Sequence, residues 1–371
     1  MNTSQNSERP SSAYLSNRGR GAEAHLPIRF ERLHVEDDLE TLEEMRRTDP
    51  DFEPRTVPTV FYKDDTRLII TRNSSPDLGF EASLNPYRGC EHGCAYCYAR
   101  PYHEFLGMDA GLDFESKIVI KERAAELLEK ELSNPRWEPR VLACSGVTDP
   151  YQPVERKLGI TRACLEVLAR FRNPVAIVTK NHLVTRDIDY LAVLAAEKAA
   201  LVCLSVTTLD RDLAPVLEPR ASSPSFRLDA VRRLSAAGIP VGVSLAPVIP
   251  GLNDHEMLGI LEAAAAAGAC MAFYTIVRLP HGVKDVFVAW LERHAPEKKE
   301  KVLGRIREMR GGALNDPRFG SRLRGEGIMA DGIEAMFRAG IRRFGLERSP
   351  GPLHTGAFRR PGEERQLDLF G

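Results

Sequence analysis

The 371-residue sequence lacks any hydrophobic run long enough to span a bilayer. Its N-terminus, MNTSQNSERPSSAYLSNRGRG, has no apolar stretch of the kind that defines a secretory signal. The formal net charge is only −1 at pH 7, so there is no global excess of positive charge to attract nucleic acid. We therefore expect a soluble cytoplasmic protein without membrane contact, on which any basic surface is local.

The cysteines do not form the even, spread-out set of a disulfide framework. There are seven of them, and Cys90, Cys94 and Cys97 fall close together in one short segment. In a chain without an export signal, this distribution favours a metal or cluster site plus buried thiols over disulfides.

Strand and helix patterns alternate from about residue 80 to residue 280. Six apolar runs predict strands, and the stretches between them place apolar residues at three- and four-residue spacing. The strand runs are EASLNPY, RVLACSG, PVAIVTK, ALVCLSVTT, PVGVSLAPV and CMAFYTIVRL. Such alternation predicts an α/β fold with a parallel sheet, as a partial (βα)6 barrel or a curved open sheet, with its active site at the carboxyl ends of the strands.

The remaining segments suggest four regions. Residues 1–73 are predicted to be a disordered or extended N-terminal segment, with disorder to about residue 24, and residues 74–295 form the core. Residues 296–348 are expected to be a helical extension, and residues 349–371 have the composition of a flexible tail.

The spacing Cys90-x3-Cys94-x2-Cys97 directly follows the first predicted strand of the alternating pattern. Three thiolates this close can each bind a different iron of one cubane cluster and leave the fourth iron open to another ligand. The alternative is a zinc site completed by His92 or His103, although structural zinc usually uses two paired ligand knuckles, and no second pair is present.

This loop, with Tyr96 before its last cysteine, resembles the radical S-adenosylmethionine (SAM) superfamily. The motifs SGVTDPYQPVE, LSVTTLD, LEPR and LAPVIPGLND resemble the branch that includes spore photoproduct lyase, over roughly residues 85–279. The resemblance implies a radical SAM barrel and a [4Fe–4S] cluster on the three cysteines. It also implies SAM on the fourth iron, reductive cleavage to a 5′-deoxyadenosyl radical, and an electron donor such as flavodoxin or ferredoxin.

The resemblance and the strand-end positions together imply a set of SAM-binding residues: Tyr98, Ser145, Gly146, Asp149, Lys180, Ser205 and Arg220. Simpler roles stay open for several of them. Asp149 before Pro150 suits a turn, and Lys180 suits a solvated strand end. Ser205 suits a buried hydroxyl, and Arg220 suits a structural salt bridge. In the branch of spore photoproduct lyase, a cysteine near this strand end donates a hydrogen atom to the substrate radical. Cys144 lies near that position but not in the same register along the strand, so we interpret it as a buried, unreactive thiol.

Two features indicate partners. The terminal residues Gln366, Leu367, Asp368, Leu369 and Phe370 resemble the pentapeptide by which bacterial proteins dock on the DNA polymerase sliding clamp. The loop with Arg318, Arg322 and Arg324, together with Arg342 and Arg343, predicts either phosphate contacts or a solvated face paired with Glu326 and Asp331.

Three hypotheses follow from the sequence. The first is a radical SAM enzyme that acts on nucleic acid, as a repair-like lyase or a base-modifying enzyme. The second is a radical SAM enzyme that modifies a protein or a small molecule. The third is a non-enzymatic iron–sulfur or zinc protein. The sequence does not identify the substrate or the oligomeric state.

Overall fold

The computed structural model of the chain describes residues 19–22, 24–26, 28–29, 57–348 and 350–362. The strands within them are β1 (Val60–Lys63), β2 (Ile70–Arg72), β3 (Ala82–Leu84), β4 (Tyr87–Arg88), β5 (Lys117–Ile120), β6 (Leu142–Cys144), β7 (Val175–Thr179), β8 (Ala200–Ser205), β9 (Val241–Val248) and β10 (Met271–Ile276). All six runs predicted as strands are confirmed: they contain β3 and β6 to β10, and the first also reaches Tyr87, the first residue of β4.

These six strands form the parallel part of a seven-stranded sheet with the order β10-β9-β8-β7-β6-β3-β2. β2 adds to the outer side of β3 in the antiparallel direction. β10 and β2 lie at opposite ends of the order and do not pair with each other, so the described strands form no closed barrel. The predicted α/β fold of six units is confirmed as an open, partial barrel.

Helices connect the parallel strands and cover the sheet. They are α1 (Leu112–Ser116), α2 (Ala124–Ser133), α3 (Glu155–Leu158), α4 (Ile160–Phe171), α5 (Ile188–Ala196), α6 (Leu213–Leu217), α7 (Pro224–Ala236), α8 (Met257–Ala266), α9 (Val283–His294), α10 (Lys299–Glu308), α11 (Ser321–Arg324) and α12 (Ile328–Phe344). In α4, Ile160, Cys164 and Leu168 recur at four-residue spacing and are buried, which is why this segment forms an amphipathic helix against the sheet.

A second, three-stranded sheet lies outside the alternating pattern. β5 pairs with β1 in parallel and with β4 in the antiparallel direction. The sheet joins part of the N-terminal segment to the chain that precedes and follows the cysteine loop. β1 has only four residues, and all of them are exposed. Its sequence therefore does not alternate between apolar and polar residues, and the pattern does not predict this strand.

The end of the described chain does not match the expected flexible tail. The Arg359 amide donates to the Phe171 carbonyl at 2.9 Å, and the Phe358 ring lies 6.1 Å from the Phe171 ring. The chain around Phe358 and Arg359 is therefore held against the end of α4 by one backbone hydrogen bond and an aromatic contact, features that composition does not reveal. Residues 363–371, which contain the clamp-like peptide, lie outside the described residues.

None of the described helices is both long enough and apolar enough to cross a membrane.

Candidate functional site

The cysteine loop follows β3 and β4 and is fixed by backbone contacts. Gly89 has a φ of 76°, and a Cβ at this position would lie 2.9 Å from the Phe114 carbonyl oxygen. The Cys90 amide donates to that same oxygen at 2.9 Å, and the Thr148 hydroxyl donates to the Gly89 carbonyl at 2.6 Å. Glycine is required here because the left-handed conformation and the close approach both exclude a side chain.

The three loop thiols are buried or half-buried but do not converge on one point. Ligands of a tetrahedral zinc ion, each about 2.3 Å from the metal, lie about 3.8 Å apart. In the described part of the chain, only His25, Asp109 and Asp113 bring three such ligand atoms within 4.8 Å of one another. The spacing of the thiols is therefore wider than a single metal ion needs, as expected for ligands on separate irons of a cluster.

Both histidines of the zinc alternative have other partners. His92 Nδ1 lies 3.3 Å from an Asp149 carboxylate oxygen, and His92 Nε2 lies 3.3 Å from the Asn181 side-chain nitrogen. His103 Nε2 lies 2.9 Å from the Lys117 carbonyl oxygen, and burial lowers the pKa of His103 to about 4. Neither imidazole is placed to complete a zinc site with the thiols.

The electrostatics of the thiols fit a cluster. Burial raises the pKa of each of the three loop cysteines, because a desolvated thiolate is unfavourable. The His92 amide bonded to Cys90 and the Ala99 amide bonded to Cys97 act in the opposite direction. Buried thiols with amide donors become thiolates when a positively charged metal centre joins them, so this donor set suits iron.

Several predicted SAM-binding residues line the carboxyl ends of three adjacent strands. Ser145 and Gly146 follow β6, Lys180 follows β7, and Ser205 is the last residue of β8. Lys180 Nζ lies 5.7 Å from the ring centre of Tyr96 in the cysteine loop. The loop and the three strand ends therefore meet at one edge of the sheet, where a ligand binds in folds of this class.

Asp149 is close to this edge, but its carboxylate is already engaged. It accepts from the Thr179 hydroxyl at 2.7 Å and from the Lys180 amide at 2.8 Å, and it contacts His92. Burial disfavours its ionisation, but the contact with His92 and these hydrogen bonds outweigh burial and lower the pKa of Asp149 to about 2. Asp149 thus ties the ends of β6 and β7 to the cysteine loop, and no oxygen of the carboxylate is left without a partner.

Arg220 and Tyr98 occupy different sides of the loop. Arg220 Nη1 lies 3.4 Å from the Glu91 carboxylate, and its amide donates to the His92 carbonyl at 3.2 Å. Tyr98 is 45% exposed, and its hydroxyl donates to the Gly146 carbonyl at 3.0 Å. Arg220 therefore has the salt bridge of its structural alternative, whereas Tyr98 presents an open ring beside the end of β6.

A buried carboxylate below the loop is a feature that the sequence analysis missed. Glu218, in the LEPR motif, accepts hydrogen bonds from the Tyr96 hydroxyl, from the Thr207 hydroxyl at 2.8 Å, and from buried Arg227. Burial disfavours the protonated form of Lys180, but the neighbouring Cys94 and Glu218 groups outweigh burial, and the pKa of Lys180 is raised. Within the LEPR motif, the sequence indicates Arg220 as a site residue. In the structure, Glu218 of the same motif accepts a hydrogen bond from Tyr96 and favours the protonated form of Lys180.

The N-terminal contact with the loop was also missed. Residues 19–22, expected to lie in a disordered stretch, are packed against the cysteine loop. The Gly21 amide donates to Glu115 at 3.0 Å, and a Cβ on Gly21 would lie 1.7 Å from the Gly93 carbonyl oxygen. The alternation of arginine and glycine in RGRG was the available signal, because glycine permits such close backbone approach.

The Arg-rich loop is largely paired within the protein. Arg318 forms ion pairs with Asp316 and with Glu326, the latter at 2.8 Å, and Arg322 pairs with Asp77. The paired alternative therefore describes Arg318, which binds the predicted Glu326, better than phosphate contacts do, whereas Arg322 is mostly buried and pairs with Asp77, a partner that was not predicted.

Cys144, the last residue of β6, is a buried thiol. It is 1% exposed, and its sulfur is close enough to Cys164 on α4 for the two thiols to influence each other electrostatically. This placement among the helices supports the interpretation of a buried thiol.

Comparison with known proteins defines the family. The model of the radical SAM superfamily matches residues 84–264. An uncharacterized protein of Mycobacterium tuberculosis is 34% identical over 253 residues, which span 67% of this chain and 72% of that protein. A protein named radical SAM Nalpha-GlyT isomerase, from Pseudomonas phage M6, is 25% identical over 62% of this chain and 46% of its own length. The chain belongs to the radical SAM superfamily, whose enzymes use a [4Fe–4S] cluster and SAM.

Solved structures agree at the level of the fold. Spore photoproduct lyase in complex with dinucleoside spore photoproduct superposes with a TM-score of 0.56 at 17% identity, over 76% of this chain and 79% of that chain. The predicted resemblance to the branch of this lyase is confirmed for the architecture.

Proposed function

We propose that Cys90, Cys94 and Cys97 hold the [4Fe–4S] cluster and that the strand ends beside them bind SAM. When bound, the reduced cluster supplies the electron that cleaves SAM to methionine and a 5′-deoxyadenosyl radical. The observation that carries the proposal is the set of three thiols, of which Cys90 and Cys94 are buried and Cys97 is half-buried, in the loop beside the ligand-binding edge of the sheet. An electron donor of the flavodoxin or ferredoxin class completes the reaction.

The predicted SAM-binding residues have three kinds of role in this proposal: polar contact, charge and positioning. Ser145, Gly146 and Ser205 offer polar groups at the strand ends, and Lys180 offers a positive charge for the SAM carboxylate. Tyr98 flanks the pocket with its ring, while Asp149 and Arg220 act as positioning residues through His92 and Glu91. The chain's own contribution is to hold and shield the cofactors.

The proposed substrate is a nucleic acid, modified by a lyase-like or base-modifying reaction. The exposed rings of Tyr98 and Tyr102 stand at the site, with 45% and 52% of their surface accessible. Exposed aromatic rings beside a positively charged group are the usual surface for unstacked bases. The similar fold of spore photoproduct lyase, which was solved with a dinucleoside photoproduct, also supports a nucleic-acid substrate. We further propose that a DNA polymerase sliding clamp binds the peptide Gln366 to Phe370.

Anaerobic reconstitution tests the assignment. The wild type is expected to bind roughly four irons per chain and, with dithionite and SAM, to release 5′-deoxyadenosine. Deuterium from labelled single-stranded or lesion-bearing DNA is expected to enter that product. Cys97→Ala should lose the EPR signal of the reduced cluster and the cleavage of SAM, because one iron loses its ligand. Cys270→Ala is the matched control, because it alters a thiol that directly precedes β10, at the amino end of the sheet. This variant should retain both the EPR signal and the cleavage of SAM.

Full SAM cleavage by Cys97→Ala would overturn the cluster assignment. If the wild type cleaves SAM but no deuterium passes from any DNA into 5′-deoxyadenosine, the proposed nucleic-acid substrate is contradicted and the cluster assignment is not.

A further inference from the structure

Two arginines beyond the end of β10 have donors without acceptors. Arg310 is 4% exposed and donates through Nη2 to the Val277 carbonyl at 2.6 Å, but its Nε and Nη1 are buried without a hydrogen-bond partner. Arg278 Nε is buried without a partner as well, and the Arg278 guanidinium donates no hydrogen bond within the described residues. Buried donors of charged groups that stay unsatisfied are unfavourable.

The charges of these two arginines are also unpaired. Within the described ranges, no carboxylate forms a salt bridge with either Arg278 or Arg310. The acids that influence them most are engaged elsewhere: Asp77 binds Arg322, and Asp316 binds Arg318. Burial and the repulsion from Arg278 lower the pKa of Arg310 to about 10. Two neighbouring buried or half-buried cations without a counter-charge favour an anion beside them.

The position of the pair connects it to the cofactor site. The Arg278 guanidinium lies 5.7 Å from the ring centre of Tyr98, whose hydroxyl is bonded to the Gly146 carbonyl. Tyr98 thus separates the arginine pair from the end of β6, where SAM is proposed to bind. Tyr102 lies near enough to Arg278 to affect its charge and exposes half of its surface. An anion held by Arg278 would sit next to two rings on the open side of the site.

We propose that Arg278 binds a phosphodiester of a nucleic-acid substrate, with Arg310 behind it as a second positive charge and Tyr98 as the stacking surface for the adjacent base. This inference rests on the proposed nucleic-acid substrate and adds the residues that recognise it. A planar guanidinium matches a phosphate through two parallel hydrogen bonds. The adjoining open rings favour a nucleotide over a simple carboxylate.

Fluorescence anisotropy with the reconstituted protein and a labelled oligothymidylate of about eight nucleotides tests the proposal. Arg278→Gln is expected to weaken binding by about tenfold and to make the slope of log K against log salt shallower by about 0.7, the value of one phosphate contact on a single strand. An oligonucleotide of the same sequence with uncharged methylphosphonate linkages should bind the wild type and Arg278→Gln equally. Arg278→Lys should recover part of the affinity, because it restores the charge but not the fork.

Arg136→Gln is the matched control, since Arg136 is an exposed arginine that precedes β6, at the amino end of the sheet. Equal binding by wild type and Arg278→Gln, or equal losses in Arg278→Gln and Arg136→Gln, would overturn the subsite. Failure of the wild type to bind any oligonucleotide would overturn both the subsite and the nucleic-acid substrate. The SAM-cleavage assay contains no oligonucleotide in its basal form, so it reports separately on the cluster.

Discussion

At the scale of single residues, the site depends on charges that are buried in pairs. Glu218 is 2% exposed and lies between Arg227 and Tyr96. Burial disfavours its ionisation, but Arg227 and Lys180 outweigh this and lower the pKa of Glu218 to about 2. Because the folded-state pKa is below the unfolded value, the resulting stability is present above pH 4.5 and is lost as the pH falls toward 2.

Glu218→Gln should therefore destabilise the apoprotein by about 3 kcal/mol at pH 7, because Arg227 is left buried without its counter-charge. The difference from wild type should narrow as the pH falls from about 4.5 toward 2, because Glu218 then takes up a proton in the unfolded state more readily than in the folded state. Urea unfolding at a series of pH values measures both effects. Glu334→Gln, which breaks a surface pair with Arg338, is the control and should change stability much less. A difference that is independent of pH would show that Glu218 is not the titrating group.

The predictability of the site also differs from residue to residue. Cys90, Cys94 and Cys97 stand out in the sequence because the ligands proposed for the cluster follow each other closely in the chain. Asp149 and Arg220 lie beside the cysteine loop, but their partners His92 and Glu91 lie far away in sequence. Whether a polar side chain faces a ligand or a protein partner depends on such distant contacts, and single-sequence patterns do not contain them.

At the scale of elements, local periodicity predicted the parallel strands and their helices, because each buries its own apolar face. The N-terminal contact was unpredictable for the opposite reason. Gly21 and Ala22 are held by Glu115, more than 90 residues away, through backbone amides that any sequence possesses. Glu115 also pairs with buried Arg100, which donates to the Cys94 carbonyl at 2.8 Å. The N-terminal segment is therefore linked to the cysteine loop through one carboxylate.

Gly21→Ala tests that link. The added methyl group would overlap the Gly93 carbonyl, so the segment must move away from the loop. We expect a loss of about 1–3 kcal/mol in unfolding free energy, as in overpacked cores, and a lower iron content after reconstitution. Gly304→Ala in the middle of α10, where a Cβ meets no atom, should instead be neutral or stabilising by up to about 1 kcal/mol. Iron retention by Gly21→Ala equal to that of Gly304→Ala would show that the loop does not need the segment.

At the scale of the whole molecule, the near-zero net charge would limit how the protein finds the proposed nucleic-acid substrate. With 51 basic and 52 acidic residues, long-range attraction to phosphates is weak. Most arginines near the site, such as Arg318 and Arg322, are neutralised by carboxylates. The Arg278 subsite supplies few ionic contacts. We therefore expect the protein to bind weakly to DNA that does not place a reactive nucleotide in the site.

A separate docking peptide would compensate for that low affinity by raising the local concentration of the enzyme on DNA. Replacing Leu369 and Phe370 with alanine is expected to weaken capture by purified DNA polymerase sliding clamp by at least about tenfold, because the two apolar anchors of the peptide are lost. Glu364→Ala, just outside the peptide, should leave capture unchanged. Equal capture of all three proteins would remove the clamp as a partner, and substrate recognition would then rest on the Arg278 subsite and the exposed rings alone.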